Sequence, residues 1–96
     1  IELGDLLIDI DRGEVQRDGV CLPMRRRERL LLELLATQQG KTVSRSIIQA
    51  KLYPDQTELR SNSVEAAVLQ LRRWIDKPGE ASRIVTLRGE GYRLDQ

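Results

Sequence analysis

Histidine and phenylalanine are absent from this chain of 96 residues, and cysteine, methionine and tryptophan occur once each. Without histidine there is no Ser-His-Asp triad, no HExxH zinc site and no two-Cys-two-His finger. The lone Cys21 has no internal disulfide partner and cannot build a cysteine-based metal site, which suits a reducing cytoplasm. Three aromatic residues, Tyr53, Trp74 and Tyr92, are too few for a base-stacking sheet of the single-strand-binding kind. Apolar runs are short, as at Leu30–Leu32, and fall far below the length of a membrane span. No charged-then-apolar opening resembles a secretion signal.

What remains is 40% hydrophobic and 32% charged, the balance of one small soluble domain with a modest core. The chain starts at Ile1 rather than methionine, which we take to indicate a piece of a larger protein. The formal net charge is only +1, which as a sum argues against nucleic acid. Its distribution argues otherwise. Residues 1–22 carry six acids against two arginines, whereas residues 23–53 carry seven bases against two acids. Residues 60–96 hold seven bases and five acids, so a partner meets faces of different sign.

The acidic opening reads as three short strands. Leu6–Ile10 and Glu14–Arg17 flank an Asp11-Arg12-Gly13 turn, and Asp18-Gly19 is a favoured two-residue hairpin turn before Val20–Leu22. Its acids, Asp5, Asp9, Asp11, Glu14 and Asp18, make this sheet a poor surface for DNA. Helical spacing follows from Arg26, with Leu31, Leu34 and Leu35 at i, i+3 and i+4 and a stop at Gly40. A second helix is predicted after the N-cap Ser44, through Ile47, Ile48 and Leu52 to Tyr53, where Pro54 prevents continuation. Residues 54–61 read as a polar loop.

The third helix, about 62–76, has the clearest pattern. Val64, Val68, Leu71 and Ile75 form one apolar stripe, and Asn62 with Glu65 has the spacing of a capping box. Opposite the stripe lie Glu65, Ala66, Leu69, Gln70 and Arg73, with Arg72 on the flank. Gln can pair bidentately with adenine, and arginine reaches guanine or phosphate. A solvated outer face explains the same wheel, although an outer Leu69 wants a contact. After Pro78-Gly79, the segment Arg83–Leu94 alternates around Gly89-Glu90-Gly91 as a β-hairpin, about 83–94. It offers Thr86, Arg88 and Arg93 as wing residues, with Arg83 at the base. The fold class is therefore α+β, a winged helix-turn-helix with an N-terminal antiparallel sheet, three helices and a C-terminal hairpin wing.

Three stretches carry a family resemblance over essentially the whole chain. They are Gly40-Lys41-Thr42-Val43-Ser44-Arg45, Arg72-Arg73, and Thr86-Leu87-Arg88-Gly89-Glu90-Gly91-Tyr92-Arg93-Leu94. Together they resemble the OmpR/PhoB-type effector domain of bacterial two-component response regulators. The resemblance implies a four-stranded opening sheet, one strand more than the pattern alone resolves. It implies sequence-specific binding to double-stranded promoter DNA, as a tandem dimer on direct repeats. It also implies an N-terminal receiver domain, phosphorylated by a sensor kinase and missing from these residues.

Carried over by position, Glu65, Ala66 and Gln70 fall where the family approaches bases. Asn62, Ala67, Leu69, Arg72 and Tyr53 fall at phosphate positions, Thr86 and Arg88 at wing contacts, and loop 54–60 at the segment that touches RNA polymerase. Ala67 and Leu69 depart from the polar or basic side chains common there, as Arg25 and Arg29 depart from a hydroxyl cap and an aromatic. Affinity then depends more on the wing and on dimerisation.

Arg25-Arg26-Arg27 opens a helix whose end already carries partial positive charge. The run reads as a solvated face near Glu28, with an acidic partner or the missing domain as the alternative. Trp74 is expected at the edge of the core, Tyr92 holding the wing to the body, and Cys21 inert. No paired carboxylates and no helix-opening glycine loop point to an enzyme, a cofactor or a metal. The alternative to DNA binding is a winged-helix protein-interaction module using Ala66, Ala67 and Leu69.

Overall fold

The computed structural model describes residues 1–54 and 62–95. Its elements run β1 (Glu2–Leu3), β2 (Leu6–Asp9), β3 (Glu14–Arg17), β4 (Val20–Cys21), α1 (Arg26–Thr37), α2 (Arg45–Leu52), α3 (Ser63–Ile75), β5 (Ile84–Leu87) and β6 (Gly91–Leu94). The first four strands form an antiparallel meander in sequence order, and β5 pairs antiparallel with β6. The fourth strand that the resemblance implied is β1, whose two residues pair as Glu2 with Leu7 and Leu3 with Leu6. Two residues carry no periodicity, so only the pairing reveals it. The loop assigned to RNA polymerase lies, apart from Pro54, outside the described residues.

Alternation decides the sheet. Leu6, Ile8 and Val15 point into the core while Leu7 stays exposed, so one face packs on the helices. The turn at Asp18-Gly19 forms as expected, with Asp18 itself at φ 49. On α3 the stripe of Val64, Val68, Leu71 and Ile75 is fully buried, with Ala67 beside it. On α1 the buried residues are Leu31, Leu32, Leu35 and Ala36, while Leu34 is only half-buried. That helix packs against α2, α3 and β6 together, so its buried arc is wider and rotated from the stripe expected.

Helix starts divide into one expected and two unexpected cases. Ser44 caps α2 through its hydroxyl, which accepts from the Ile47 N–H at 3.2 Å. The Asn62–Glu65 box does not form, because Asn62 makes no side-chain cap bond and the Glu65 carboxylate is drawn to Arg45. At α1 a one-sided box appears instead. Glu28 accepts from the Arg25 backbone N–H at 2.9 Å, and a guanidinium has no acceptor with which to return the bond. The same Oε1 accepts from Trp74 Nε1 at 2.9 Å, which ties α1 to the end of α3.

Asp5 corrects the picture of a uniformly acidic outer sheet. Its carboxylate is buried, accepts from the Arg83 guanidinium, and lies 3.4 Å from Arg17 Nε and 3.8 Å from Lys77 Nζ. The first β-turn is thus tied to the end of α3 and the base of the wing. Burial pushes this carboxyl up, but the Arg83 bond and charge, with Lys77, outweigh it and hold it below its ordinary value. A carboxyl depressed by folding stabilises above its unfolded pKa, and that contribution is lost as pH falls through the folded one. Asp5→Asn is therefore expected to lower the urea midpoint at neutral pH, with the gap from wild type closing below about pH 3.8. A gap independent of pH in acid denaturation series would count against this role.

Candidate nucleic-acid interface

One side of the molecule collects the outer face of α3, the tip of the wing and the end of α2. Because the apolar stripe is buried, Asn62, Glu65, Ala66, Leu69, Gln70 and Arg73 are all exposed, Leu69 at 51%. Ala67 is buried and turned toward the core. Tyr53 is half-buried at the end of α2, its hydroxyl 3.4 Å from the Ser63 carbonyl oxygen.

Glu65 is held rather than free. Arg45 donates to it twice, Nε to Oε2 at 2.9 Å and Nη2 to Oε1 at 3.2 Å, and the Tyr92 hydroxyl lies 3.4 Å from Oε2. The Arg45 bond, opposed by partial burial and aided by Tyr92, keeps this carboxyl below its ordinary value. Burial first, then the Glu65 charge, raises the Tyr92 phenol. The start of α2, the outer face of α3 and the wing thus meet at one carboxylate. Sequence reading missed Arg45, because its partner lies twenty residues away with no local pattern to mark it.

Arg72 is turned sideways. Its Nε donates to Ser82 Oγ at 3.1 Å, and its Nη2 donates to the Ile84 carbonyl at 2.7 Å and to Thr86 Oγ1 at 2.9 Å. These bonds link the last turns of α3 to β5 and engage both Arg72 and Thr86 within the protein. The wing cations also sort themselves: Arg93 pairs with Asp95 at 2.9 Å and Arg83 with Asp5, whereas Arg88 is exposed at the turn. Among the described residues Arg88 forms no ion pair.

The wing is registered against the body by backbone. Val43 and Tyr92 exchange N–H···O bonds of 2.8 and 3.0 Å, and the Gly40 N–H donates to the Leu94 carbonyl at 3.1 Å. Tyr92 is buried, as expected of a residue holding the wing to the core. A cleft of about 370 Å³ remains between wing and helices, bordered by Arg45, Glu65, Thr86 and Arg88.

A sheet, three helices and a hairpin in this order, with an exposed face on the third helix beside a basic wing tip, define a winged helix-turn-helix domain. Residues 19–94 match the family described as transcriptional regulatory protein, C terminal, and the chain belongs to that family of OmpR/PhoB-type domains. It is 37% identical over 95 residues to a probable transcriptional regulatory protein, y4xI, of Sinorhizobium fredii. It is 32% identical over 94 residues to the transcriptional regulatory protein CusR of Escherichia coli. The alignments span 99% and 98% of this chain but only 42% and 41% of those relatives.

Among solved structures, the DNA-binding domain of CpxR from E. coli superposes with a TM-score of 0.86 at 28% identity, covering 99% of this chain and 94% of that one. The RstA DNA-binding domain of Klebsiella pneumoniae, solved in complex with the RstA box, gives 0.84 at 28%, covering 99% and 95%.

Proposed function

We propose that this chain binds double-stranded DNA sequence-specifically as the output domain of a transcriptional response regulator. In this reading α3 enters the major groove and the β5–β6 wing lies on the adjacent minor groove. The observation that carries it is the face itself: Glu65, Ala66, Leu69 and Gln70 exposed on a helix whose opposite stripe is fully buried, beside an exposed Arg88. Gln70 reads adenine, Leu69 meets a thymine methyl, and the pre-oriented Glu65 accepts from cytosine. Ala66 lets the helix approach closely. Asn62, Tyr53 and Arg73 contact phosphates, and Arg72 and Thr86 act by fixing the wing at the angle that presents Arg88.

The full protein would carry a receiver domain controlled by a sensor kinase, act in the bacterial cytoplasm, bind direct repeats as a tandem dimer and reach RNA polymerase through residues 54–60. The RstA domain, solved with its own DNA box, supports the DNA-binding part of this reading.

Selection from a randomised duplex library, followed by titration of the selected site across salt concentrations, tests the proposal. An enriched motif and an affinity falling steeply with salt are expected; a flat or absent response favours a protein-interaction module. Arg88→Ala is expected to weaken binding by about 1–3 kcal/mol, with stability changed by less than about 0.5 kcal/mol. Unchanged affinity removes the wing from the interface.

A further inference from the structure

The Arg25-Arg26-Arg27 run opens onto the same side of the molecule as the outer face of α3. A groove of about 420 Å³ is bordered by these arginines and Glu28 on one wall and by Tyr53, Ala66, Ala67 and Gln70 on the other. All three arginines are exposed, and among the described residues none forms an ion pair. The nearest carboxylate, Glu28, forms no ion pair with them, and its Oε1 accepts from the Arg25 N–H and the Trp74 indole. Cations here also oppose the helix dipole of α1.

Arg27 nevertheless has a fixed place. Its guanidinium carbon lies 4.5 Å from the centroid of the Tyr53 ring, whose hydroxyl is anchored at Ser63. The facing part of α3, residues 62–70, carries one charge, the acid Glu65, and no base. On the groove side of that face the flanking cations are Arg25 and the first residues of α1.

We infer that Arg25, Arg26 and Arg27 form a phosphate clamp for one strand of the DNA duplex that α3 reads. The inference rests on the DNA-binding reading above and adds a binding site on an element outside the helix-turn-helix and the wing. A phosphodiester is the occupant that fits. It is an anion repeated along a strand, it needs no apolar seat, and guanidinium forks match its oxygens bidentately. A strand seated in the groove runs between the clamp and Gln70, which brings the adjacent base edges to α3. Arg27, stacked on Tyr53, meets the strand already ordered.

The test compares the wild-type 96-residue chain with Arg26→Gln/Arg27→Gln and Arg26→Lys/Arg27→Lys by salt titration on a mixed-sequence duplex and on the selected site. Each lost phosphate contact should reduce the log–log salt slope by about 0.9, so the glutamine pair should lose about 1.8. That slope corresponds to roughly eightfold weaker binding per arginine at about 0.1 M salt. The base preference should not change, and the lysine pair should keep most of the slope. Thermal unfolding should show the glutamine pair folded with a melting temperature close to wild type, since cations leaving a helix N-terminus offset the lost Arg27–Tyr53 contact.

An unchanged slope and affinity in the glutamine pair, with wild type still binding, overturns the clamp and leaves the DNA-binding reading intact. That outcome assigns the arginines to an acidic protein partner or to solvent. A changed base preference at constant slope also overturns it, because the arginines would then touch base edges. Absence of DNA binding by wild type would defeat the underlying reading instead.

Discussion

Gly91→Ala is expected to destabilise the domain by about 3 kcal/mol or more, through backbone strain and overpacking together. A Cβ at this position would stand 2.0 Å from the Val43 carbonyl oxygen, 2.8 Å from its carbon and 2.9 Å from Ser44 Cα. Those atoms are all backbone, so no side-chain rotation relieves the clash. The residue also sits at φ 146, where an L side chain is strained whatever the space. Relief requires β6 to move away from residue 43, which breaks the paired Val43–Tyr92 bonds and pulls Tyr92 from Glu65. Urea denaturation measures the first effect, and DNA affinity below that of Arg88→Ala measures the second. Gly89→Ala is the control: its φ is 74 but no atom lies within 4 Å of the added Cβ, so about 1–2 kcal/mol is expected. Equal losses at the two glycines would refute the contact as the cause.

Glu28→Ala is the second large effect, about 2–3 kcal/mol, because two donors lose one charged acceptor together. The Arg25 N–H and the Trp74 indole N–H both reach Oε1, and in the alanine variant the indole is left without a partner at the edge of the core. Trp74 is the only tryptophan, so its fluorescence reports the change directly, by a red shift as water reaches the ring. Glu28→Gln keeps an oxygen at the same distance along the side chain and is expected to lose about half as much or less. If alanine and glutamine cost the same, the carboxylate acts through its charge on α1 rather than as a shared acceptor.

The stripe Val64, Val68, Leu71 and Ile75 was legible because helical geometry converts spacing into a face, and all four are buried. Ser44 was legible as a cap because its hydroxyl reaches an N–H three residues on. Asn62 has the same local chemistry and does not cap. The difference lies in the backbone: Ser44 is extended at φ −68 and ψ 153, as an N-cap requires, whereas Asn62 sits at φ −108 and ψ 17.

Leu34 and Leu32 exchange roles on α1 for a similar reason. The buried arc there follows from which neighbours surround the helix, and periodicity carries no record of them. Arg72 and Arg73 are adjacent and chemically identical, yet one is bonded into β5 and the other exposed. The three arginines and one lysine of the wing region and its base likewise sort into ion-paired and free only once Asp5 and Asp95 are brought beside them.

Sequence alone determined the scarcity that excludes histidine and cysteine chemistry, the order of sheet, helices and hairpin, and the outward face of α3. Each of these depends on composition or on contacts within a few residues. Tertiary structure decided the charge layout. Asp5 is consumed inside by Arg83, Arg17 and Lys77, and Glu65 by Arg45, while Arg88 and Arg25–Arg27 remain exposed, without ion pairs among the described residues. A net charge of +1 is thus a sum over groups that neutralise one another internally and others that face a partner. Coulomb pairing depends on distance in space, and only folding sets that distance.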